Sequence, residues 1–290
     1  MLGAITGDII GSVYEWHNIK TKDFPLFRAD CFFTDDTVMT IATAEAVMNG
    51  GEADDFIDAY KKWGRLYPDA GYGGSFESWI HSDDNSWGNG SAMRVSPCGW
   101  LADCKLYART GMWPTARDKA RLSAEVTHSH PEGIKGALAV TDAIFLCRFY
   151  MSGYGDDPAH KRGSIEQCKK HIKEHIEKEF GYDLSKTLDE IRPAYTFHVS
   201  CQDSVPQAIV AFLESTDFED AIRNAVSLGG DSDTLAAITG SIAEAAYGIP
   251  QWIKEKAWSY LDARIREVCR RWQAYIEKQG PVRYVPSDSQ

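Results

Sequence analysis

Apolar residues recur along most of this chain at the three- and four-residue spacing that is typical of amphipathic and buried helices. No segment alternates apolar and polar residues as a half-buried strand does, and no strand–helix–strand rhythm is present. The predicted helices cover residues 1–17, 37–48, 53–66, 115–127, 132–150, 165–180, 205–213, 218–228, 235–247 and 253–276. The pattern therefore predicts an all-α fold.

The first predicted helix carries glycine at every fourth position, at Gly3, Gly7 and Gly11. Residues four apart lie on the same face of a helix, so these glycines form one stripe without side chains. Such a stripe predicts that a second helix approaches the first one closely.

Two stretches interrupt the helical pattern. Residues 68–97 form a long segment rich in Gly, Ser and Asn, which predicts a loop, and long ordered loops in compact domains are usually functional. Residues 152–164 form a polar surface excursion. Because similar small-residue helices lie on both sides of each stretch, we expect a single compact domain over residues 1–280, followed by a C-terminal tail at 281–290.

Bulk composition narrows the functional classes. The chain has 31 Lys and Arg against 42 Asp and Glu, a net charge of −11, which disfavours non-specific binding to nucleic acid or anionic membranes. The seven cysteines include no CxxC pair, and no signal peptide or uncharged membrane-spanning run is evident. We therefore expect a cytoplasmic protein with reduced, mostly buried thiols, and we expect it to be a monomer.

The strongest chemical signal is a pair of acidic motifs, each directly before a small-residue helix. Residues 33–37 read Phe-Thr-Asp-Asp-Thr and residues 229–234 read Gly-Gly-Asp-Ser-Asp-Thr. Asp and Thr cap helices well, and the helix dipole favours acids in the first turn, so capping alone is one interpretation. Two acids at each start exceed what one cap needs, which favours a further role.

If the two helices pack side by side, four carboxylates converge at one point: Asp35, Asp36, Asp231 and Asp233. Four buried carboxylates without cations would be very costly. Oxygen ligands favour Mg²⁺ or Mn²⁺ over Zn²⁺, and four acids suit two metals about 3.5–4 Å apart. The sequence therefore predicts a binuclear metal site at two helix N-termini.

A further signal is the segment 86–91, Ser-Trp-Gly-Asn-Gly-Ser, whose backbone N–H groups, hydroxyls and amide are suited to binding phosphate. It matches neither the Walker motif nor the dinucleotide fingerprint, and a plain turn is the alternative interpretation. Trp87 is suited either to stacking on a base or to packing in the core.

Five segments in order resemble the ADP-ribosylglycohydrolases, a family that includes the dinitrogenase reductase-activating glycohydrolases. They are GAITGDIIGSVYEWHN (3–18), FTDDTVM (33–39), GNGSAMRVSP (88–97), THSHPEGIKGA (127–137) and SLGGDSDTLAAITGSIAEAAYGIP (227–250). The resemblance implies an all-α, orthogonally packed single domain that holds two Mg²⁺ or Mn²⁺ ions.

Position by position, the resemblance implies roles for particular residues. The implied metal ligands are Thr34, Asp35, Asp36, Asp231, Asp233 and Thr234. The implied ADP-ribose contacts are Ser86, Gly88 and Asn89 at the diphosphate, Trp87 at the adenine, His128 at the distal ribose, and Gly73 and Gly74 bordering the cleft. Glu15 matches a glutamate near the metals, and with Asp35 and Asp36 it forms the expected catalytic set.

The implied activity is metal-dependent hydrolysis of the N- or O-glycosidic bond of ADP-ribose attached to a protein or a small molecule, a glycosidase reaction of the EC 3.2.2 type. Two alternatives stay open: an inactive ADP-ribose-binding or crystallin-like relative, and a metal-dependent nucleotide phosphohydrolase. Arginine-directed family members carry acids in the cleft loop, whereas residues 71–76 here are neutral, which disfavours an arginine linkage without identifying another.

Overall fold

The computed structural model describes residues 1–81, 86–101, 104–151 and 164–278. Within these residues the regular secondary structure is entirely helical, and β-pairing is limited to an isolated antiparallel bridge between Gly88 and Ser200. The all-α prediction is therefore confirmed. The helices are α1 (Leu2–Gly11), α2 (Asp35–Asn49), α3 (Ala53–Leu66), α4 (Gly74–His81), α5 (Gly90–Met93), α6 (Ser96–Gly99), α7 (Cys104–Thr110), α8 (Pro114–Glu125), α9 (Pro131–Met151), α10 (Ile165–Phe180), α11 (Leu188–Ile191), α12 (Cys201–Leu213), α13 (Phe218–Ser227), α14 (Ser232–Tyr247), α15 (Gln251–Tyr260) and α16 (Ala263–Lys278).

Two almost completely buried helices, α9 and α14, form the centre of the fold. They pack on each other, and α1, α12 and α13 surround α14 while α8, α10 and α12 surround α9. A helix that is apolar on all faces is buried on all faces, and the Ala-rich sequence of α14 has this composition.

The glycine stripe of α1 lies directly against the backbone of α14. A Cβ atom added at Gly7 would lie 2.0 Å from the Ala236 carbonyl oxygen, and one added at Gly3 would lie 2.2 Å from the Gly240 oxygen. At Gly11 the nearest atom would be the Asp233 Cα, at 2.5 Å. The predicted close approach is confirmed, and it places the end of α1 beside the start of α14.

The same helix holds the start of α2. Asp8, fully buried in the middle of α1, accepts hydrogen bonds from the backbone N–H and the hydroxyl of both Thr34 and Thr37. Helices α2 and α14 contact each other, and their starts meet where the Thr234 hydroxyl donates to Asp36, while α1 packs along α14 and binds the first turn of α2. The two acidic motifs therefore converge, with α1 holding both helix starts in place.

The predicted bounds fail at both ends of the chain. The first helix ends at Gly11 rather than at residue 17, so Glu15 lies in the turn that follows. The single predicted helix over 253–276 is two helices, because Leu261 is extended and the Asp262 carboxylate accepts from the N–H groups of Arg264 and Ile265 at 2.9 and 3.0 Å. An aspartate cap therefore starts α16 inside a continuous apolar pattern.

The segment 68–97 is less irregular than predicted, since it contains α4, α5 and the start of α6. Phe76 and Trp79 are buried and stack with ring centroids 5.5 Å apart, which anchors α4 in spite of the surrounding glycines. Residues 152–163 of the predicted excursion and the tail at 281–290 lie outside the described residues, so the division into domain and tail stays a prediction.

All seven cysteines are buried free thiols, as predicted. Over the described ranges, no helix has both the length and the apolar character needed to cross a bilayer.

Substitution of Gly7 by alanine tests the contact between α1 and α14. The new methyl group would meet backbone atoms that cannot rotate away, so we expect the free energy of unfolding to fall by about 1–3 kcal/mol. Denaturant unfolding measures it. Gly73→Ala is the control, since a Cβ there meets no atom within 4 Å, and equal loss in both variants would contradict the contact.

Candidate active site

Three carboxylates gather where α1 ends and α14 begins. Asp231 is the N-cap of α14, Asp233 lies in its first turn, and Glu15 comes from the turn after α1. One oxygen of each carboxylate lies within 4.8 Å of the others, a spacing at which they could hold one cation. Both aspartates are buried and Glu15 is half-buried, so the cluster is open on the Glu15 side.

The second acidic motif joins this cluster. Asp36 is buried in the first turn of α2, and its Oδ2 accepts from the Thr234 hydroxyl at 3.1 Å, which links the two motifs directly. Asp35 is half-buried beside it, and its backbone N–H donates to the Ala70 carbonyl at 2.8 Å. Thr34 is the N-cap of α2, with its hydroxyl donating to Asp8 at 2.8 Å.

Two carboxylate oxygens in the site have no hydrogen-bond donor within the described protein, Asp36 Oδ1 and Asp233 Oδ1. Buried polar atoms are almost always paired, and an unpaired carboxylate oxygen is costly. Both atoms belong to residues of the predicted metal-ligand set, in which every candidate ligand atom is an oxygen. An all-oxygen ligand set fits hard divalent cations.

Burial and mutual repulsion alter the acidity of the whole cluster. Burial, followed by the charges of Asp8 and of neighbouring carboxylates, raises the pKa of Asp35 and Asp36 well above the usual range. The pKa of Asp233 is raised in the same way by burial and then by Asp231. Burial and the nearby Asp231 raise the pKa of Glu15 to about 7. Burial and repulsion thus shift all four carboxyls towards their protonated forms.

Sequence reasoning missed two residues that build the site. Asp8 braces the first turn of α2, and burial raises its pKa to about 6. Asn18 donates to the Glu15 carbonyl at 2.7 Å and both donates to and accepts from the Gly230 backbone, which ties the Glu15 turn to the second acidic motif. The signal for Asp8 was a single acid inside an apolar, glycine-striped helix.

The predicted phosphate cradle is tied to the carboxylates. The Asn89 side chain donates to Asp231 Oδ2 at 2.7 Å and to the Ser204 hydroxyl at 3.1 Å. The backbone N–H groups of Ser86, Gly88 and Asn89 already donate within the protein, to Thr127 O, Ser86 Oγ and Val199 O. A phosphate bound here would therefore accept hydrogen bonds from side chains and from other backbone N–H groups of the segment, because the N–H groups of Ser86, Gly88 and Asn89 are already used.

The other expected binding residues surround this segment. Trp87 is 54% exposed, so the alternative that places it in the core is wrong. His128 is buried beside the segment, and a Cβ at Gly90 would lie 3.1 Å from its Nε2. Burial and the nearby Arg94 hold the pKa of His128 well below its usual range, so the ring is neutral. Gly73 and Gly74 are exposed, and Gly74 begins α4.

The raised pKa values predict how stability without metal depends on pH. A carboxyl whose pKa is higher in the folded state stabilises the fold at low pH and loses that contribution as pH rises through the folded value. With a chelator present, we expect the free energy of unfolding to fall between about pH 4.5 and 7, because the pKa of Glu15 rises from 4.5 to about 7 in the folded protein. The raised pKa values of Asp35, Asp36 and Asp233 act in the same direction.

Denaturant melts across this range measure the slope, and Asp36→Asn should flatten it because one repelling charge is removed. Histidine contributions cancel in the comparison between the variant and the wild type. A wild-type slope that is zero or positive, or one that Asp36→Asn leaves unchanged, would contradict the cluster's assigned electrostatics.

Comparison with known proteins agrees with this architecture. The family model described as ADP-ribosylglycohydrolase matches residues 1–281. Mouse "ADP-ribosylhydrolase ARH3" is 26% identical, with 87% of this chain and 83% of that protein covered. "ADP-ribosylarginine hydrolase Tri1" of Pseudomonas putida (strain GB-1) is 25% identical, with 89% and 73% covered. A solved structure, "ADP-ribosylglycohydrolase-related protein complex", has the same fold, with a TM-score of 0.64, 23% identity, and 96% and 97% of the two chains covered. The chain therefore belongs to the ADP-ribosylglycohydrolase family of hydrolases.

Proposed function

We propose that this protein is a metal-dependent hydrolase that cleaves the N- or O-glycosidic bond between ADP-ribose and a protein or small-molecule acceptor, releasing free ADP-ribose. The observation that carries the proposal is the convergence of both acidic motifs with Glu15, including two buried carboxylate oxygens that receive no hydrogen bond from the described residues. The names of the relatives, an ADP-ribosylhydrolase and an ADP-ribosylarginine hydrolase, agree with this reaction class.

Two Mg²⁺ or Mn²⁺ ions would be held by the donors of the two helix starts. The proposed ligands are Thr34, Asp35, Asp36, Asp231, Asp233 and Thr234. When bound, such ions polarise hydroxyl groups of the distal ribose and lower the pKa of water. The cost of gathering the carboxylates is then offset by their attraction to the cations rather than by protonation.

The half-buried Glu15 faces the open side of the cluster, where substrate and water enter. A carboxyl with a pKa near neutrality can both accept and donate a proton, which suits Glu15 to moving the proton between the attacking water and the leaving group. Asp35 is also half-buried and Asp36 lies beside it, so these two complete the proposed catalytic set.

The remaining proposed residues orient ADP-ribose. Trp87 offers an exposed ring for the adenine, while Ser86, Gly88 and Asn89 line the path from that ring to Asp231, where the diphosphate would lie. His128, beside this path, would contact ADP-ribose through an uncharged imidazole ring. The exposed Gly73 and Gly74 are proposed to border the cleft.

Product analysis tests the proposal. Arginine-, serine- and O-acetyl-linked ADP-ribose are each incubated with the protein and Mg²⁺ or Mn²⁺. Free ADP-ribose from at least one of them is the expected product. AMP or phosphate would indicate a nucleotide phosphohydrolase, and binding without turnover of any of the three would indicate a catalytically inactive relative.

Asp233→Asn separates metal binding from a structural role at the start of α14. Asp233 lies in the first turn rather than at the N-cap, and Asn is nearly the same size, so the fold should survive. A lost ligand charge should lower metal affinity and turnover together by at least about 10–100-fold. The metal-free variant should also be at least as stable as the wild type, because one repelling charge is gone. Turnover is measured against metal concentration, alongside melts with and without Mg²⁺.

The matched control is Asp217→Asn, which changes a side chain that caps α13 by accepting from Asp220 N at 2.8 Å. We expect its metal dependence to match the wild type. If Asp233→Asn also shows wild-type turnover at limiting metal, Asp233 only supports the helix start and the proposed binuclear site is wrong.

Trp87→Ala tests the adenine contact. Loss of base stacking should weaken ADP-ribose binding by roughly 1–3 kcal/mol and leave metal affinity unchanged. Titration calorimetry measures both affinities. Trp252→Ala serves as control, since this ring on α15 is 52% exposed and packs edge-on against Phe27. Equal ADP-ribose affinity in the Trp87 variant and the wild type would remove Trp87 from the binding site.

A further inference from the structure

A fully buried cation, Arg94, follows the segment 86–91 in the chain and has no role in the scheme above. Its Cζ atom lies 4.0 Å from the ring centroid of Tyr60, and its Nη2 donates to the Ser123 carbonyl at 2.7 Å and to the Thr127 hydroxyl at 2.5 Å. Its Nε and Nη1 find no acceptor among the described residues. A buried charge with unpaired donors destabilises a fold, which indicates that Arg94 does more than fill space.

Thr127 connects this cation to the proposed ADP-ribose site. Its hydroxyl oxygen lies 2.6 Å from Nδ1 of His128, the ring expected at the distal ribose. Its backbone carbonyl accepts from the N–H of Ser86 at 2.8 Å, so the same residue also holds the start of the segment 86–91. Arg94, Thr127 and His128 therefore form one hydrogen-bond network that ends at the candidate site.

The direction of each hydrogen bond in this network follows from the protons that each group carries. A guanidinium can only donate, so the Thr127 hydroxyl accepts from Arg94. Thr127 is 1% exposed, and within the described residues its hydroxyl has two partners, Arg94 and His128. If the hydroxyl also accepted from Nδ1, its own proton would be buried without an acceptor, which is costly. The hydroxyl therefore donates to Nδ1 of His128.

The other ring nitrogen of His128 faces the candidate site. Burial and the nearby Arg94 keep the pKa of the ring low, and a neutral imidazole that accepts at Nδ1 carries its proton on Nε2. A Cβ added at Gly90 would lie 3.1 Å from Nε2, and one added at Gly88 would lie 3.9 Å from it, so these glycines leave room for the ring edge. Among the described residues the ring hydrogen-bonds to Thr127 alone, which leaves the Nε2 proton for a ligand.

We propose that Arg94 and Thr127 are positioning residues that fix His128 as the tautomer protonated on Nε2, so that it donates a hydrogen bond to an oxygen of the distal ribose. The inference rests on the proposed function for the identity of the ligand, whereas the tautomer is a property of the protein alone. Because arginine does not give up its proton, the direction of the network is fixed by a permanent donor. A ring held in this way recognises an acceptor atom of the ligand and not an N–H group.

Nitrogen-15 NMR of histidine-labelled, ligand-free protein tests the tautomer, because protonated and unprotonated ring nitrogens have well separated shifts. The His128 signals are identified by their absence from His128→Gln. We expect a protonated Nε2 and an unprotonated, hydrogen-bonded Nδ1. Thr127→Val should move the Nδ1 shift towards that of a free unprotonated nitrogen, and Thr127→Ser should leave it in place.

A wild-type spectrum with the proton on Nδ1 would overturn the inference, and so would an Nδ1 shift that Thr127→Val leaves unchanged. If the valine variant does not fold, the wild-type spectrum alone decides the tautomer.

Ligand affinity tests the contact with the distal ribose. Loss of the hydroxyl releases the ring, so Thr127→Val should weaken ADP-ribose binding about two- to tenfold, the range of one neutral hydrogen bond. Binding of ADP, which lacks the distal ribose, should stay at the wild-type value, and Thr127→Ser should keep wild-type affinity for both ligands. Titration calorimetry in Mg²⁺ measures these affinities. Thr141→Val is the matched control, since this buried hydroxyl has no hydrogen-bond partner within the described residues.

Equal losses of ADP and ADP-ribose affinity in Thr127→Val would show that Thr127 only holds the segment 86–91, and would overturn the inference. Failure of the proposed function gives a different result. A wild-type protein that releases ADP-ribose from none of the three linkages would refute that function, while the nitrogen-15 spectrum would still decide the tautomer of His128.

Discussion

The site depends on the contact between the glycine stripe of α1 and the backbone of α14. Because the two backbones touch, the turn after α1 brings Glu15 to the first turn of α14, where Asp231 and Asp233 lie. The same helix carries Asp8, which binds the first turn of α2 and so brings Asp36 to Thr234. One closely packed helix thus assembles carboxylates that are almost two hundred residues apart in the chain.

This assembly places like charges together in a buried region, and the hydrogen bonds that hold Asp8, Asp36 and Asp231 within the described residues come from uncharged groups. Asp8 accepts from threonine hydroxyl and backbone N–H groups, Asp36 accepts from the Thr234 hydroxyl, and Asp231 accepts from the Asn89 amide. Hydroxyl and amide donors orient carboxylates without neutralising them. Burial and mutual repulsion therefore raise the pKa values of Asp35, Asp36 and Asp233, and bound cations would offset both effects.

Much of this arrangement could be predicted from the sequence where the signals are local. The glycine spacing in α1 and the two acidic helix starts are short patterns with a direct physical meaning. The role of Asp8 was not predictable in this way, since its partners Thr34 and Thr37 lie 26 and 29 residues away.

Other predictions, of helix bounds and of the loop at 68–97, were wrong for physical reasons as well. The break before α16 is set by the Asp262 cap within an uninterrupted apolar period, and α4 is stabilised by ring packing that its glycine-rich surroundings conceal. The convergence of the acidic motifs was predicted, but its route through α1 was not, because helix adjacency is a tertiary property. Roles at the site were predicted mainly by family resemblance, since capping and metal binding use the same residue types.

The central claim is that the two acidic helix starts form one binuclear metal centre. Crystals grown with Mn²⁺ and measured for anomalous scattering test it most directly. The account predicts two anomalous peaks about 3.5–4 Å apart, bound by Asp35, Asp36, Asp231 and Asp233. Crystals in saturating Mn²⁺ with no anomalous peak at these four carboxylates would contradict it.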